Sequence, residues 1–374
     1  MNQRVDEICQ RIQHGRAPIA VRGAVTKDAL VPQAIEADWI DLDALPAGII
    51  SYDPSEFLIT AWSGTTMSEL CQATAEHGQW LPFDPLFVDF GATLGGTIAA
   101  GLSGPRQLLL GRLRDFVMEV ECVDGLGKLV RGGGKVVKNA AGFDLPKFLV
   151  GSYGRLGVLT QATLKILPRP PASCTVTVAG LSAEDGLRAV QRIAGQPLPL
   201  AATCWTPSGR LDIQFAAPAA SLPRVVRRIV EWLPGAVQQE DGDEARWDCS
   251  ARWMQTLAGH RLWRAVHSSD AFPRLLAAAA DAGIECQAAW AAFTESWWCQ
   301  ADDGGLARWH ACCLRHGASA VQIRGPADHL NMVGHLPWLP LVNRLRAAID
   351  PRRRFFDLQP PVEVSPREAT SAQD

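Results

Sequence analysis

The segment Arg22-Gly23-Ala24-Val25-Thr26-Lys27 puts a glycine, a threonine hydroxyl and a cation within one short loop. Such a loop offers backbone N–H donors at a turn together with a positive charge, which suits a diphosphate. A second segment, Thr93-Leu94-Gly95-Gly96-Thr97-Ile98-Ala99-Ala100-Gly101, reads as an uncharged helix start, whose first N–H groups can point at phosphate. A third runs from Gly142-Phe143-Asp144-Leu145 to Gly151-Ser152-Tyr153-Gly154-Arg155-Leu156-Gly157-Val158. None is a Rossmann fingerprint or a Walker loop. Each alone also reads as a tight turn; three in this order point to a diphosphate held by backbone.

Other chemistries find less support. Removing hydrogen from a hydroxyl carbon needs a base, usually histidine. The eight histidines are scattered, and His316-Gly317 after Arg315 sits in no recognisable setting, so no catalytic residue is assigned. The ten cysteines include no Cys-x-x-Cys, and Cys312-Cys313 are adjacent, which is poor geometry for one ion. No metal site is expected, and Cys9, Cys71, Cys122 and Cys174 read as small core residues in a reducing compartment. The formal net charge is −3 with no basic run, which argues against a nucleic-acid partner. The acidic stretch Glu240-Asp241-Gly242-Asp243-Glu244 reads as a solvated loop.

The elements that position these segments follow from periodicity. Val5, Ile8 and Ile12 share a face of a first helix that Gly15 closes. Short strands are expected at 19–21, 39–42, 48–52 and 57–61, then a helix over 66–76 ended by Gly78. Residues 116–123 alternate as a strand, Asp124-Gly125-Leu126-Gly127 turns, and 128–131 returns; 158–167 is the last strand of this half. Pro168-Arg169-Pro170-Pro171 marks a domain boundary. Beyond it, strands at 174–178, 201–205, 211–215 and 261–267 alternate with helices at 183–193, 222–233 and 272–282. Ten of the 13 tryptophans follow residue 200, which predicts an aromatic core or interface there.

Residues 79–171 carry a resemblance. Leu94-Gly95-Gly96-Thr97-Ile98-Ala99-Ala100-Gly101-Leu102-Ser103-Gly104-Pro105-Arg106 and Gly111-Arg112-Leu113-Arg114-Asp115-Phe116-Val117 are its first motifs. Gly133-Gly134-Lys135-Val136-Val137-Lys138-Asn139-Ala140-Ala141-Gly142-Phe143-Asp144, residues 151–160 and Lys165-Ile166-Leu167-Pro168-Arg169-Pro170 complete the set. In this order they resemble the vanillyl-alcohol oxidase family of PCMH-type flavoproteins, and more narrowly the FAD-binding subunits of bacterial glycolate oxidase.

The resemblance implies an α+β fold: a PCMH-type FAD-binding domain of two small α/β subdomains over 1–170, then an α+β cap-like domain over 171–340. A C-terminal helix and disordered tail would fill 341–374. It implies FAD contacts at Arg22, Gly23, Ala24, Val25, Thr26 and Lys27, at Thr93, Leu94, Gly95, Gly96 and Thr97, and at Gly157 and Val158. No histidine or cysteine lies in the first loop, so FAD is expected to be non-covalent. The implied function is glycolate oxidation to glyoxylate beside a catalytic flavoprotein subunit and an iron–sulfur subunit. Two alternatives stand: a scaffold with weakened flavin binding, and a self-sufficient 2-hydroxy-acid dehydrogenase. Relatives carry glycine or a small polar residue after Arg-Gly, whereas this chain has Ala24-Val25, and a β-branched residue resists positive φ. With no apolar segment behind Met1 to Glu7 and no stretch of the roughly 18 apolar residues a span needs, a soluble cytoplasmic chain is expected, with peripheral docking at a membrane left open.

Overall fold

The computed structural model describes residues 2–31, 36–134, 144–233, 235, 237–242, 247, 260–300, 305–327 and 332–357. The motif stretch from Lys135 to Phe143 and the expected C-terminal tail lie outside the described residues. The chain divides into two compact units. The first comprises Met1–Gly104, Gly111–Arg169 and Pro337–Gln359; the second comprises Pro105–Leu110, Pro170–Leu336 and Pro360–Asp374.

In the first unit, α1 (Gln3–His14) buries Val5, Ile8 and Ile12, and the Gly15 N–H ends it on the Arg11 carbonyl. Two short strands, β1 (Ile19–Arg22) and β2 (Asp38–Asp41), pair in parallel. β3 (Ile49–Asp53) and β4 (Leu58–Trp62) lead into α2 (Met67–Ala75), where the Thr66 hydroxyl accepts the Glu69 N–H as an N-cap. After β5 (Gln79–Trp80) comes α3 (Leu94–Ala100), which stops at Gly101 in the left-handed region, φ 65°. The short α4 (Gln107–Leu110) belongs to the second unit. Then α5 (Leu113–Phe116), β6 (Val117–Val123), β7 (Leu129–Gly133), α6 (Leu145–Leu149), β8 (Val158–Lys165) and β9 (Leu167–Pro168) complete this half. The main sheet runs β3-β4-β8-β6-β7. Central β8 is buried on both faces, which accounts for its nearly unbroken apolar and threonine run.

The C-terminal helix Leu339–Ile349 groups with this first unit. Phe355 just beyond it joins the cluster of Val5, Ile8, Ile12, Ile19, Ile40 and Val158.

The second unit is a nine-stranded antiparallel sheet with helices. Its strands are β10 (Ser173–Val178), β11 (Leu200–Trp205), β12 (Leu211–Ala216), β13 (Val237–Asp241), β14 (Arg261–Val266), β15 (Ile284–Trp290), β16 (Glu295–Gln300), β17 (Ser319–Arg324) and β18 (Met332–Gly334). Their order is β13-β10-β12-β11-β15-β16-β14-β17-β18. Helices α7 (Ala183–Ala194), α8 (Leu222–Val230), α9 (Phe272–Ala279) and α10 (Leu306–Arg315) supply apolar faces to a core holding Trp205, Trp263, Trp298, Trp309, Phe272 and Phe293. Much of the tryptophan enrichment is therefore packing within this unit. One expectation is corrected. Glu240 and Asp241 lie on edge strand β13, paired to β10, and are not a loop; their carboxylates face solvent, as suits an exposed edge. Cys9 and Cys71 are only half-buried, whereas Cys122 and Cys174 are core thiols.

Candidate functional site

The first unit holds a cavity that is partly open to solvent. The loop after β1, the N-terminal end of α3 and residues 152–157 line it, over an apolar floor that includes Val21, Leu42 and Leu159.

Gly23, Ala24, Val25, Thr26 and Lys27 all border the cavity. Among the described residues, the N–H groups of residues 24–27 meet no acceptor. Free peptide donors beside a cavity are expensive unless something accepts from them. Val25 sits at φ 52°, the left-handed conformation that a β-branched residue resists, and its side chain is 44 % exposed. Lys27 is 7 % exposed. Its ammonium donates to the Thr26 hydroxyl at 3.0 Å and lies 5.2 Å from the Phe87 ring centroid. No carboxylate of the described residues pairs with it, and burial brings its pKa down to about 8. A buried ammonium without a counter-charge, beside unspent N–H donors, suits a bound dianion.

The helix start behaves differently from expectation. The N–H groups of Leu94, Gly95 and Thr97 bond the carbonyls of Thr65, Ser63 and Thr93, and that of Gly96 donates to the Thr93 hydroxyl at 3.2 Å. These donors are committed within the protein, so α3 has no open N-terminus to offer a phosphate. Thr93, Gly95 and Gly96 border the cavity as a close-packed wall instead. A Cβ on Gly95 would meet Ser63 Cβ at 2.9 Å and Leu42 Cδ1 at 3.0 Å, which is why glycine stands there.

The opposite wall is residues 152–157. Tyr153 and Gly154 take positive φ, 54° and 70°, and the loop is fastened to α3 by Gly151 N–H to Ile98 O (3.0 Å) and Tyr153 N–H to Ala99 O (2.8 Å). Ser152, Tyr153 and Gly154 border the cavity beside Gly157, although only Gly157 and Val158 were anticipated here. The signal lay in the paired glycines Gly151 and Gly154.

Four anticipated residues stand outside the lining. Arg22 faces outward, bound to Asp41, its register partner on β2, with its guanidinium 4.8 Å from the Trp39 ring centroid. Leu94 and Val158 are core residues, and Thr97 is buried with an unpartnered hydroxyl. Among the described residues, none in the lining is histidine or cysteine. Among the described residues, the buried histidine is His267 of the second unit, whose Nε2 meets Ser296 Oγ at 2.6 Å and whose ring stacks on Phe272; burial lowers its pKa. Among the described residues, no cluster of His, Cys, Asp or Glu could hold a metal, and no helix is long and apolar enough to cross a membrane.

Comparison with known proteins gives this geometry a class. Residues 2–133 match the family described as FAD binding domain. The solved structure of alkyldihydroxyacetonephosphate synthase superposes with a TM-score of 0.66 over 95 % of this chain and 74 % of its own, at 15 % identity, a likeness of fold. The family match and the likeness of fold together support a PCMH-type FAD-binding protein of α+β class, with FAD as its cofactor. Glycolate oxidase subunit GlcE of Escherichia coli is 38 % identical over 51 % of this chain and 53 % of its own length. D-lactate dehydrogenase of Archaeoglobus fulgidus is 35 % identical over 37 % of this chain and 31 % of its own. Glycolate oxidase subunit GlcD of Bacillus subtilis is 32 % identical over 43 % and 34 %. The chain spans about half, or less, of the length of these curated relatives, and of the three it is most similar to GlcE.

Proposed function

We propose that this chain is the FAD-binding subunit of a 2-hydroxy-acid dehydrogenase complex that oxidises glycolate to glyoxylate. The observation that carries the reading is Lys27, a buried ammonium with no carboxylate partner, set beside the free N–H groups of residues 24–27. These groups would hold the FAD diphosphate, with Lys27 as its counter-charge. Gly23, Thr93, Gly95, Gly96 and Gly157 would let backbone approach the cofactor closely. Arg22, Leu94, Thr97 and Val158 would support the site through packing. Bound FAD supplies a two-electron acceptor. Among the described residues the lining holds no histidine or cysteine, which fits a cofactor held non-covalently and a base supplied from elsewhere. The substrate chemistry therefore belongs to a partner flavoprotein, with an iron–sulfur subunit carrying electrons onward and the complex docked peripherally at a membrane. The names of the GlcE and GlcD relatives support this reading.

The scaffold reading has one observation in its favour, the strained Val25 in the first loop. The flavin-to-protein ratio of the purified chain, taken from visible spectra before and after denaturation, separates the two. A ratio near one, with flavin released freely, is expected. A ratio near zero in folded protein given excess FAD would leave only the scaffold. Glycolate and D-lactate turnover by the isolated chain, with an artificial electron acceptor, should be absent; turnover would move the chemistry into this chain.

A further inference from the structure

Residues 350–357 form a strap across the first unit. The buried Asp350 carboxylate accepts the N–H groups of Arg354 (2.7 Å) and Phe355 (3.0 Å) and so folds the chain back after the C-terminal helix. Gly125 packs against this turn with no room for a Cβ, and its N–H bonds the Ile349 carbonyl at 3.0 Å. Phe355 then pairs in parallel with Ile19 at the start of β1, and the Ile19 N–H donates to the Arg354 carbonyl at 2.6 Å. Arg346 donates both to the Phe355 carbonyl and to the Asp357 carboxylate.

The strap also reaches the other wall of the cavity. Arg155, 4 % exposed, leaves the 152–157 loop and donates through Nη1 to the Asp357 carbonyl at 3.1 Å. Among the described residues its Nε and Nη2 are buried without a partner, and the bond to Asp357 anchors a desolvated guanidinium. The neighbouring Tyr153 holds positive φ, a conformation that a non-glycine residue keeps only where surrounding structure imposes it. One strap therefore grips β1, from which the 23–27 loop runs, and the 152–157 loop opposite. Both loops border the cavity.

We propose that Arg155 is a positioning residue which, through the Asp357 carbonyl and the strap, couples the two walls of the FAD cavity and sets how firmly the cofactor is retained. The proposal rests on the FAD reading above. It assigns no contact between Arg155 and the cofactor; the effect passes through the backbone of residues 350–357.

The test uses the full chain, wild type and Arg155→Ala, with amide hydrogen exchange on FAD-free protein and FAD titration by fluorescence at a temperature where both are folded. Loss of Arg155 should speed exchange at residues 23–27 as well as 151–157 and raise the FAD Kd by about tenfold, the scale of one charged hydrogen bond. Arg155→Lys should restore part of both effects. Faster exchange confined to 151–157, with Kd unchanged, overturns the proposal. A wild type that binds no FAD would defeat the FAD reading alone, and the exchange data would still decide whether the walls are coupled. Should Arg155→Ala fail to fold, Phe355→Leu loosens the strap from Ile19 while sparing Arg155; disturbance of both loops supports the coupling, and disturbance of β1 alone sinks it.

Discussion

A methyl group on Gly23 would stand 2.7 Å from the Thr93 hydroxyl. The first loop of the cavity and the cap of α3, distant in sequence, are thus in contact through a glycine that has no side chain to separate them. The same hydroxyl accepts the Gly96 N–H, so anything that moves Thr93 also loosens the start of α3.

Gly23→Ala should therefore push Thr93 off its cap and widen the gap between two cavity segments. We expect a loss of stability of about 1 kcal/mol, the size of an N-cap interaction, and a lower flavin content. Thr93→Ala alone should cost a similar amount, and the double variant should cost less than the sum, because the second change relieves the first clash. Strict additivity in denaturant melts would show that the contact has no energetic weight.

Val25→Gly should stabilise the FAD-free protein. The residue pays for φ 52° with a β-branched side chain that is 44 % exposed and so buries little in return. Removing left-handed strain contributes about 1 kcal/mol, offset in part by the extra freedom of glycine in the unfolded chain. A higher urea midpoint at unchanged slope is the expected result, with FAD affinity equal or tighter. A lower midpoint would mean that Val25 packs usefully where it stands.

Lys27 predicts opposite pH responses for the free and bound protein. Its folded pKa is about 8 against an ordinary 10.5, so between these values the unfolded chain holds a proton that the folded chain has released. Stability of the FAD-free protein should thus rise with pH across that window. FAD binding should respond the other way. The diphosphate favours the ammonium, so affinity is flat below about pH 8 and falls above it as the proton must be regained. Lys27→Met should weaken FAD binding and abolish both slopes. A binding slope that survives this substitution would assign the titration to another group.

Local signals were well legible in the sequence, and tertiary ones were not. Val5, Ile8 and Ile12 mark α1 by spacing, and Gly15 marks its end. By contrast, Ile284–Trp290 and Glu295–Gln300 escaped notice, because β16 is buried along its whole length and shows no alternation. The 23–27 loop was found from residue types alone. The inaccessibility of the α3 donors was not, since the acceptors Ser63 and Thr65 come from the turn after β4 and can be placed only by the fold. The same holds for Arg155, whose partner Asp357 lies at the far end of the chain.

The last prediction concerns the second unit, where Glu295 is fully buried and meets Arg264, 14 % exposed at its side chain, at 2.7 Å. These residues sit on adjacent strands β16 and β14, and Arg264 is the register partner of Trp297. Burying two charges is costly, and their attraction offsets the cost only while both are present. Glu295→Gln removes the carboxylate charge that Arg264 meets and should destabilise the protein by about 3 kcal/mol, the lower end for breaking a buried pair. Arg264→Met with Glu295→Met removes both desolvation penalties and should fall well below that loss. Urea melts of the three variants decide the matter. If the double variant proves as unstable as Glu295→Gln, the pair is holding the sheet through contacts that an apolar replacement cannot reproduce, and its value lies in geometry more than in charge.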